Sequence, residues 1–182
     1  PEPWVRNVLA VGEAAAAVDP LQATNLHLAE SAIMRALGLL PGRDCHPLEL
    51  REYNRRTEQQ VLRVRDFIAL HYLRSGRSDG DFWKRAAAAE PPDSLAHTLE
   101  QFERRGRLPY YENESFDRHG WAAALLGLGV LPRHTDPVAE GIGANEAAAM
   151  RRLAAGLAGL PPQLPPYRDY LAQMRSRGGH AR

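Results

Sequence analysis

Over residues 48–73 the chain places Leu50, Tyr53, Val61, Val64, Ile68 and Tyr72 at helical spacing, with no glycine or proline among them. Arginines and glutamates fill the positions between. This pattern predicts one long helix with a buried apolar stripe and a solvated charged face. A helix of that length must lay its stripe against neighbours, and the flanking sequence offers more helices. Leu26, Ala29, Ile33, Leu37 and Leu40 predict a helix with one buried face, ended by Pro41-Gly42. Ser75-Gly76 and Ser78-Asp79-Gly80 break the long helix. A short helix is expected around 82–89, stopped by Pro91-Pro92. Asp93 or Ser94 should cap the next, which buries Leu95, Leu99 and Phe102.

Residues 106–117 read as irregular and rich in aromatics. Residues 121–131 read as an apolar helix stopped by Pro132, with Gly127 and Gly129 allowing close helix packing. Helices near 145–160 and 167–174 are joined by a proline-rich link, and 176–182 is expected to be a disordered tail. The layer is mostly α-helical. The one other signal comes first in the chain, where Val5, Val8, Leu9 and Val11 read as a single β-strand. A lone strand needs a sheet to pair with, and little else reads as strand. The missing sheet is therefore expected to lie outside this chain, which reads as a fragment.

With 182 residues, 44% of them hydrophobic, there is enough chain for one domain with a sizeable core. Twenty-three basic side chains face 22 acidic ones, for a net charge of +1. That balance argues against a nucleic-acid or anionic-membrane surface. No run approaches the roughly 18 apolar residues of a membrane span, and no secretory leader is visible. One cysteine, Cys45, excludes an internal disulfide and fits a reducing cytoplasm. Lys84 is the sole lysine, and the arginine and alanine bias resembles that of a GC-rich bacterium.

Familiar catalytic patterns are missing. The seven histidines form no HxxxH or HExxH pair, so no metal site is expected. There is no GxSxG elbow, no Walker loop and no GxGxxG. Two segments remain. In the first, Asp19-Pro20-Leu21-Gln22-Ala23-Thr24-Asn25 leads from the opening strand directly into a helix. A helix start gathers free N–H groups and a positive dipole end, where phosphates, halides and flavin rings bind. Gly12 permits close approach of a cofactor to the backbone, and Pro20 stiffens the turn. Thr24 can cap the helix or donate to an anion. The amides of Asn25 and Leu26 are available, and Gln22 puts a neutral amide at the mouth. In the second segment, Tyr110, Tyr111, Glu114, Phe116 and Trp121 form a candidate substrate wall, aromatic faces for stacking and carboxylates to fix an N–H.

These residues resemble the flavin-dependent halogenases of the tryptophan halogenase type. The family strand W-V-x-N-x-V-A-I-G matches W-V-R-N-V-L-A-V-G here, and its Glu-Pro-Leu-Glu-Ser-Thr turn matches Asp19 to Thr24. The stretches E-Y-N-R-R, R-D-F-I-x-L-H-Y, F-W, P-D-S-L, E-N-E-S-F and P-R-x-x-D-P are similar too. The resemblance implies a mainly α, substrate-side helical module plus one leading β-strand. That strand would belong to an α/β flavin-binding, monooxygenase-like domain absent from this chain. Residues 1–24 would end the flavin module, 25–175 would form the helical cap and 176–182 the tail.

The resemblance further implies FAD, reduced by a separate flavin reductase, and chloride or bromide as cosubstrate. Hypohalous acid would pass to a lysine beside a small electron-rich aromatic substrate of indole or phenol type; a homodimer is an assembly it allows. Gly12, Pro20, Thr24 and Asn25 would lie by the flavin, with Thr24 and Asn25 also at the halide. Gln22 takes the place of a family glutamate, Ala23 that of a serine, and Asn25 that of a frequent glycine. Glutamine hydrogen-bonds but is no base near neutral pH. The expected function is thus the carboxy-terminal part of an FAD-dependent halogenase-like oxidoreductase, inactive as a fragment. The alternatives are a flavin monooxygenase that no longer halogenates and a non-enzymatic helical binding module.

Overall fold

The long stripe folds as the sequence predicts. In the computed structural model, which describes residues 2–43 and 45–178, helix α2 spans Pro47–Leu73. Pro47 sits in its first turn, where a missing N–H does no harm, and His46 accepts the Leu48 N–H through its side chain. Around it lie α1 (Thr24–Gly38), α3 (Asp81–Ala88), α4 (Asp93–Arg105) and α5 (Arg118–Gly127). Phe67 and Leu70 of α2 meet Leu95, Leu99 and Phe102 of α4 and Trp121 and Leu125 of α5 in the main core. Val64 and Ile68 pack on Leu28 of α1, and Tyr53 packs on Ala36 and Trp4. Helix α2 is therefore buried on more than one face, and Arg63 and Asp66 on its supposed solvent side are buried as well.

The mainly α class with a β element at the start holds, but the leading strand turns back on itself. Strands β1 (Trp4–Val5) and β2 (Val8–Leu9) pair antiparallel, Trp4 opposite Leu9, through a turn with Arg6 at φ 53°. The outer edge of β1 is met by Asn54, which accepts the Trp4 N–H at 2.8 Å and donates to the Trp4 carbonyl at 2.9 Å. A lone strand awaiting an outside sheet is thus replaced by a hairpin closed by a side-chain amide.

The face expected to bury α1 is the wrong one for this chain. Leu26, Ile33, Leu37 and Leu40 are exposed, and Thr24, Leu28, Ala32 and Ala36 are buried instead. The small alanines let α1 approach the Tyr53 ring, whose hydroxyl donates to the Ala32 carbonyl at 3.3 Å. Neither Asp93 nor Ser94 caps α4, because Pro92 holds the cap position and the Ser94 hydroxyl turns to Asp66. The apolar helix ends at Gly127, and nothing lies within 4 Å of where a Cβ would stand at Gly127 or Gly129. Close packing does not explain these glycines; Gly129 takes φ +80° to turn Val130 into the core.

Asp117 caps α5 by accepting the Gly120 N–H at 2.7 Å. Asp117→Ala is expected to lower stability by about 1 kcal/mol in urea denaturation. On α2, hydrogen bonds from Arg55 and then Arg56 hold the Glu52 carboxyl down at about 2. Its lowered pKa means its ion pairs persist above the ordinary glutamate range and weaken only as pH falls toward 2. An NMR titration of the Glu52 side chain should therefore show no protonation step near pH 4.

The described residues from 137 onward form a second compact unit, so the expected 25–175 module spans parts of two units. It contains α6 (Ala144–Ala158) and α7 (Tyr167–Gly178), separated by a short turn at Pro161–Gln163. Met150, Leu153 and Leu157 of α6 are exposed. Of the expected tail, Ser176 to Gly178 close α7 and 179–182 lie outside the described residues.

Candidate functional site

The turn before α1 is fixed by its own polar groups. Asp19 Oδ1 accepts the Leu21 N–H at 3.0 Å, the self-bonded aspartate of a tight turn. Its other oxygen accepts the Tyr72 hydroxyl of α2 at 2.8 Å, and this bond holds the Tyr72 hydroxyl above its usual pKa. Pro20 opens a single 3-10 turn, and then Gln22 and Ala23 adopt left-handed conformations at φ 60° and 56°. Two consecutive non-glycine residues in this region carry strain that the surrounding bonds must hold. Helix α1 follows with no side-chain cap on its first turn.

The next two side chains turn inward. Thr24 is buried, and its hydroxyl donates to the carbonyls of Asp19 at 3.0 Å and Leu21 at 3.2 Å. The Asn25 side chain clamps Val18, accepting its N–H at 3.2 Å and donating to its carbonyl at 3.0 Å and to Glu13 at 3.2 Å. Gly12, at φ +63°, starts a short 3-10 turn that lies against Ala29 of α1. Gln22 is exposed at the mouth, with its amide nitrogen 3.5 Å from His71 Nε2.

The second segment forms a cleft of about 360 Å³ whose lining includes Tyr110, Tyr111, Glu114, Phe116, Trp121 and Arg63. All five candidate substrate residues are thus brought to one place, but in unequal ways. Tyr110 is 90% exposed, and Trp121 is 3% exposed with its Nε1 buried and unpartnered. Glu114 is engaged already. One oxygen accepts Arg63 Nε at 2.8 Å, and the other accepts the backbone N–H groups of Ser115 and Phe116. The carboxylate expected to fix a ligand N–H instead fixes Arg63.

Sequence reasoning missed Arg63. Its guanidinium lies between the rings of Tyr111, 3.9 Å from the centroid, and Trp121, at 4.9 Å. Nε binds Glu114 and Nη1 binds Asp66 at 3.0 Å, so among the described residues only the Nη2 edge lacks a partner. A ligand acceptor can approach this cation only along that edge. The signal was present: Arg63 stands four residues before Phe67 and seven before Leu70, in line with the core side of α2.

Phe67 connects the two segments. Its ring stacks on Phe116 at 3.7 Å, meets Trp121 edge-on at 5.0 Å and contacts His71 at 4.9 Å. The Gln22 turn thus reaches the aromatic cleft through His71, which Gln22 approaches at 3.5 Å, and Phe67. Among the described residues no three histidine, cysteine or acidic side chains gather to hold a metal, and no helix is long and apolar enough to cross a membrane.

The chain is similar in sequence and fold to known proteins. The tryptophan 6-halogenase SttH of Streptomyces toxytricini is 32% identical over 139 residues, covering 74% of this chain and 26% of that protein. Among solved structures, the flavin-dependent halogenase BrvH from Brevundimonas sp. BAL3 superposes with a TM-score of 0.86 at 32% identity, covering 94% of this chain and 35% of its own. Xcc4156, a flavin-dependent halogenase from Xanthomonas campestris, gives 0.80 at 36% identity with the same coverage. The chain spans between a quarter and about a third of the length of these proteins. The sequence model of the tryptophan halogenase family matches residues 2–144, which takes in the hairpin, the Gln22 turn and the aromatic cleft alike, and the chain belongs to that family.

Proposed function

We propose that this chain is the carboxy-terminal part of a cytoplasmic, FAD-dependent halogenase-like oxidoreductase acting on an electron-rich aromatic substrate of indole or phenol type. The observation that carries this reading is the run of contacts from Gln22 through His71 and Phe67 to Phe116 and Trp121, which leads from a strained, uncapped helix start to a cleft walled by tyrosines and tryptophan. The donor chemistry at the turn suits a flavin edge and a halide ion. Asp19 keeps its charge, but its two oxygens point at the Leu21 N–H and the Tyr72 hydroxyl, donors of its own turn and of α2. The Thr24 and Asn25 side chains are engaged inward, so main-chain N–H groups of the turn would hold the ion. FAD, reduced by a separate reductase, would supply the electrons that let O₂ and halide generate an electrophilic halogen. In the cleft, the faces of Tyr110 and Tyr111 would stack on the substrate ring, and the open Arg63 edge would donate to a carbonyl or carboxylate.

Gln22 favours a second reading, a flavin monooxygenase that hydroxylates. A neutral amide cannot take the proton released on aromatic substitution, and losing a general base typically costs 10²–10⁴-fold, roughly, in rate. The full-length protein would be given reduced FAD, O₂, bromide and a panel of indoles and phenols, with products weighed. Brominated product that increases about 10²-fold or more in Gln22→Glu is expected. Hydroxylated product, insensitive to bromide, selects the monooxygenase. Absence of bound FAD at micromolar concentration overturns both and leaves a binding module.

A further inference from the structure

The Gln22–His71 contact has a direction that the ring's second nitrogen decides. His71 Nδ1 lies 2.7 Å from the Phe67 carbonyl oxygen, one turn back on α2. A carbonyl only accepts, so Nδ1 carries a proton and donates it. The neutral ring then has a bare lone pair at Nε2, 3.5 Å from the Gln22 amide nitrogen, at the long end of hydrogen-bond range. Nε2 accepts and the amide nitrogen donates. An amide whose nitrogen faces one way presents its oxygen the other.

We propose that His71 is the positioning residue for Gln22: by accepting from the amide nitrogen, it turns the Gln22 oxygen away from the helix. This chain then offers a neutral hydrogen-bond acceptor to a ligand N–H or O–H at the mouth of the turn. The proposal rests on the reading above that this turn faces the ligand. Three features hold the geometry. The left-handed backbone at Gln22 and Ala23 fixes where the side chain starts. The neighbouring Tyr72–Asp19 bond ties the same turn to the same end of α2. The imidazole packs on Phe67 at 4.9 Å, which restrains its rotation. A ligand group that only accepts is disfavoured against the Gln22 oxygen, and one that donates is preferred.

Long-range ¹H–¹⁵N NMR of the histidine-labelled 182-residue chain, carrying Leu37→Glu and Leu40→Glu at two exposed leucines to keep it dispersed, reads the ring state directly, without flavin. The expected wild-type spectrum shows His71 protonated at Nδ1 and bare at Nε2. In Gln22→Glu the new carboxylate only accepts, so an Nε2 that keeps the contact must donate, and its ¹⁵N signal should move to the position of a proton-bearing nitrogen. In Gln22→Leu the Nε2 signal should shift while Nδ1 stays protonated. An Nε2-protonated wild-type tautomer, or identical His71 signals in all three proteins, overturns the proposal. In the full-length protein, His71→Phe should lower kcat about tenfold with KM little changed, as expected for a misdirected hydrogen-bonding group. Unchanged kcat in that variant also overturns it. If the ring state is as expected and the full-length protein binds no flavin, the positioning stands and the proposed function fails.

Discussion

Replacing Asp66 with alanine is expected to lower the unfolding free energy by about 3 kcal/mol or more, among the largest losses available to a single substitution here. The Asp66 side chain is 0% exposed and the Arg63 side chain 5% exposed, so both charges have left water. Asp66 accepts from Arg63, from the Ser94 hydroxyl and from Arg65 at 2.8 Å, so each carboxylate oxygen is engaged. Without it, the Arg63 guanidinium keeps only Glu114, which is 21% exposed and partly screened by solvent. Breaking a buried pair is costlier than never having had one, because an uncompensated charge remains. Arg63→Met combined with Asp66→Ala should therefore be less destabilised than Asp66→Ala alone, a sign that urea denaturation of the four proteins in the cycle can read. Ser94→Ala should fall between, at roughly 1.5–3 kcal/mol for a hydrogen bond to a charged acceptor. An Asp66→Ala loss below about 1 kcal/mol would mean that the network is open to water. The same cycle bears on function, since Arg63 is held against Tyr111 and Trp121 by these two carboxylates.

Helix boundaries are legible in the sequence, and helix faces only partly so. Pro47, Pro91-Pro92 and Gly106 end or begin elements where backbone chemistry requires, and periodicity locates α2 almost to the residue. Periodicity identifies which side of a helix is apolar, but it does not say which neighbour will cover it. For α1 the bulky stripe reads as buried, yet the packing uses Leu28, Ala32 and Ala36 because small residues let Tyr53 approach. Arg63 and Asp66 read as solvent-facing because charges usually are. The spacing to Phe67 and Leu70 puts Arg63 on the core side, but the partners that make its burial and that of Asp66 tolerable, Ser94 and Glu114, lie 28 and 51 residues away, where no local pattern reaches. At the site, the turn and the cleft are both visible in the sequence, since proline, small residues and clustered aromatics mark them. What stays hidden is direction: Thr24 and Asn25 turn inward to satisfy backbone groups, and Gln22 turns toward His71. The hairpin escapes detection because two-residue strands leave too short an alternation to separate from one continuous strand.

The exposed stripe of α1 leads to the second large effect. Leu26, Leu37 and Leu40 are 72, 61 and 70% exposed, and Ile33 and Met34 flank them. Single exposed leucines are ordinary, but five large apolar side chains along one helix and its end form a patch of the kind that marks an interface. In the proposed reading, the remainder of a protein about three times as long covers this stripe. The 182-residue chain by itself is then expected to self-associate at micromolar concentration and to bind a hydrophobic dye. Leu37→Glu with Leu40→Glu should lower that association at least tenfold while shifting the chain's own stability by less than about 0.5 kcal/mol per site, because neither residue belongs to the buried core. In the full-length protein the same pair should destabilise by several kcal/mol, since each introduces an unpaired buried charge. The opposite signs distinguish an interface from a solvated face: if Leu37→Glu and Leu40→Glu are silent in both proteins, nothing covers α1. Sedimentation velocity on the chain and thermal unfolding of the full-length protein, each with and without the two changes, decide it.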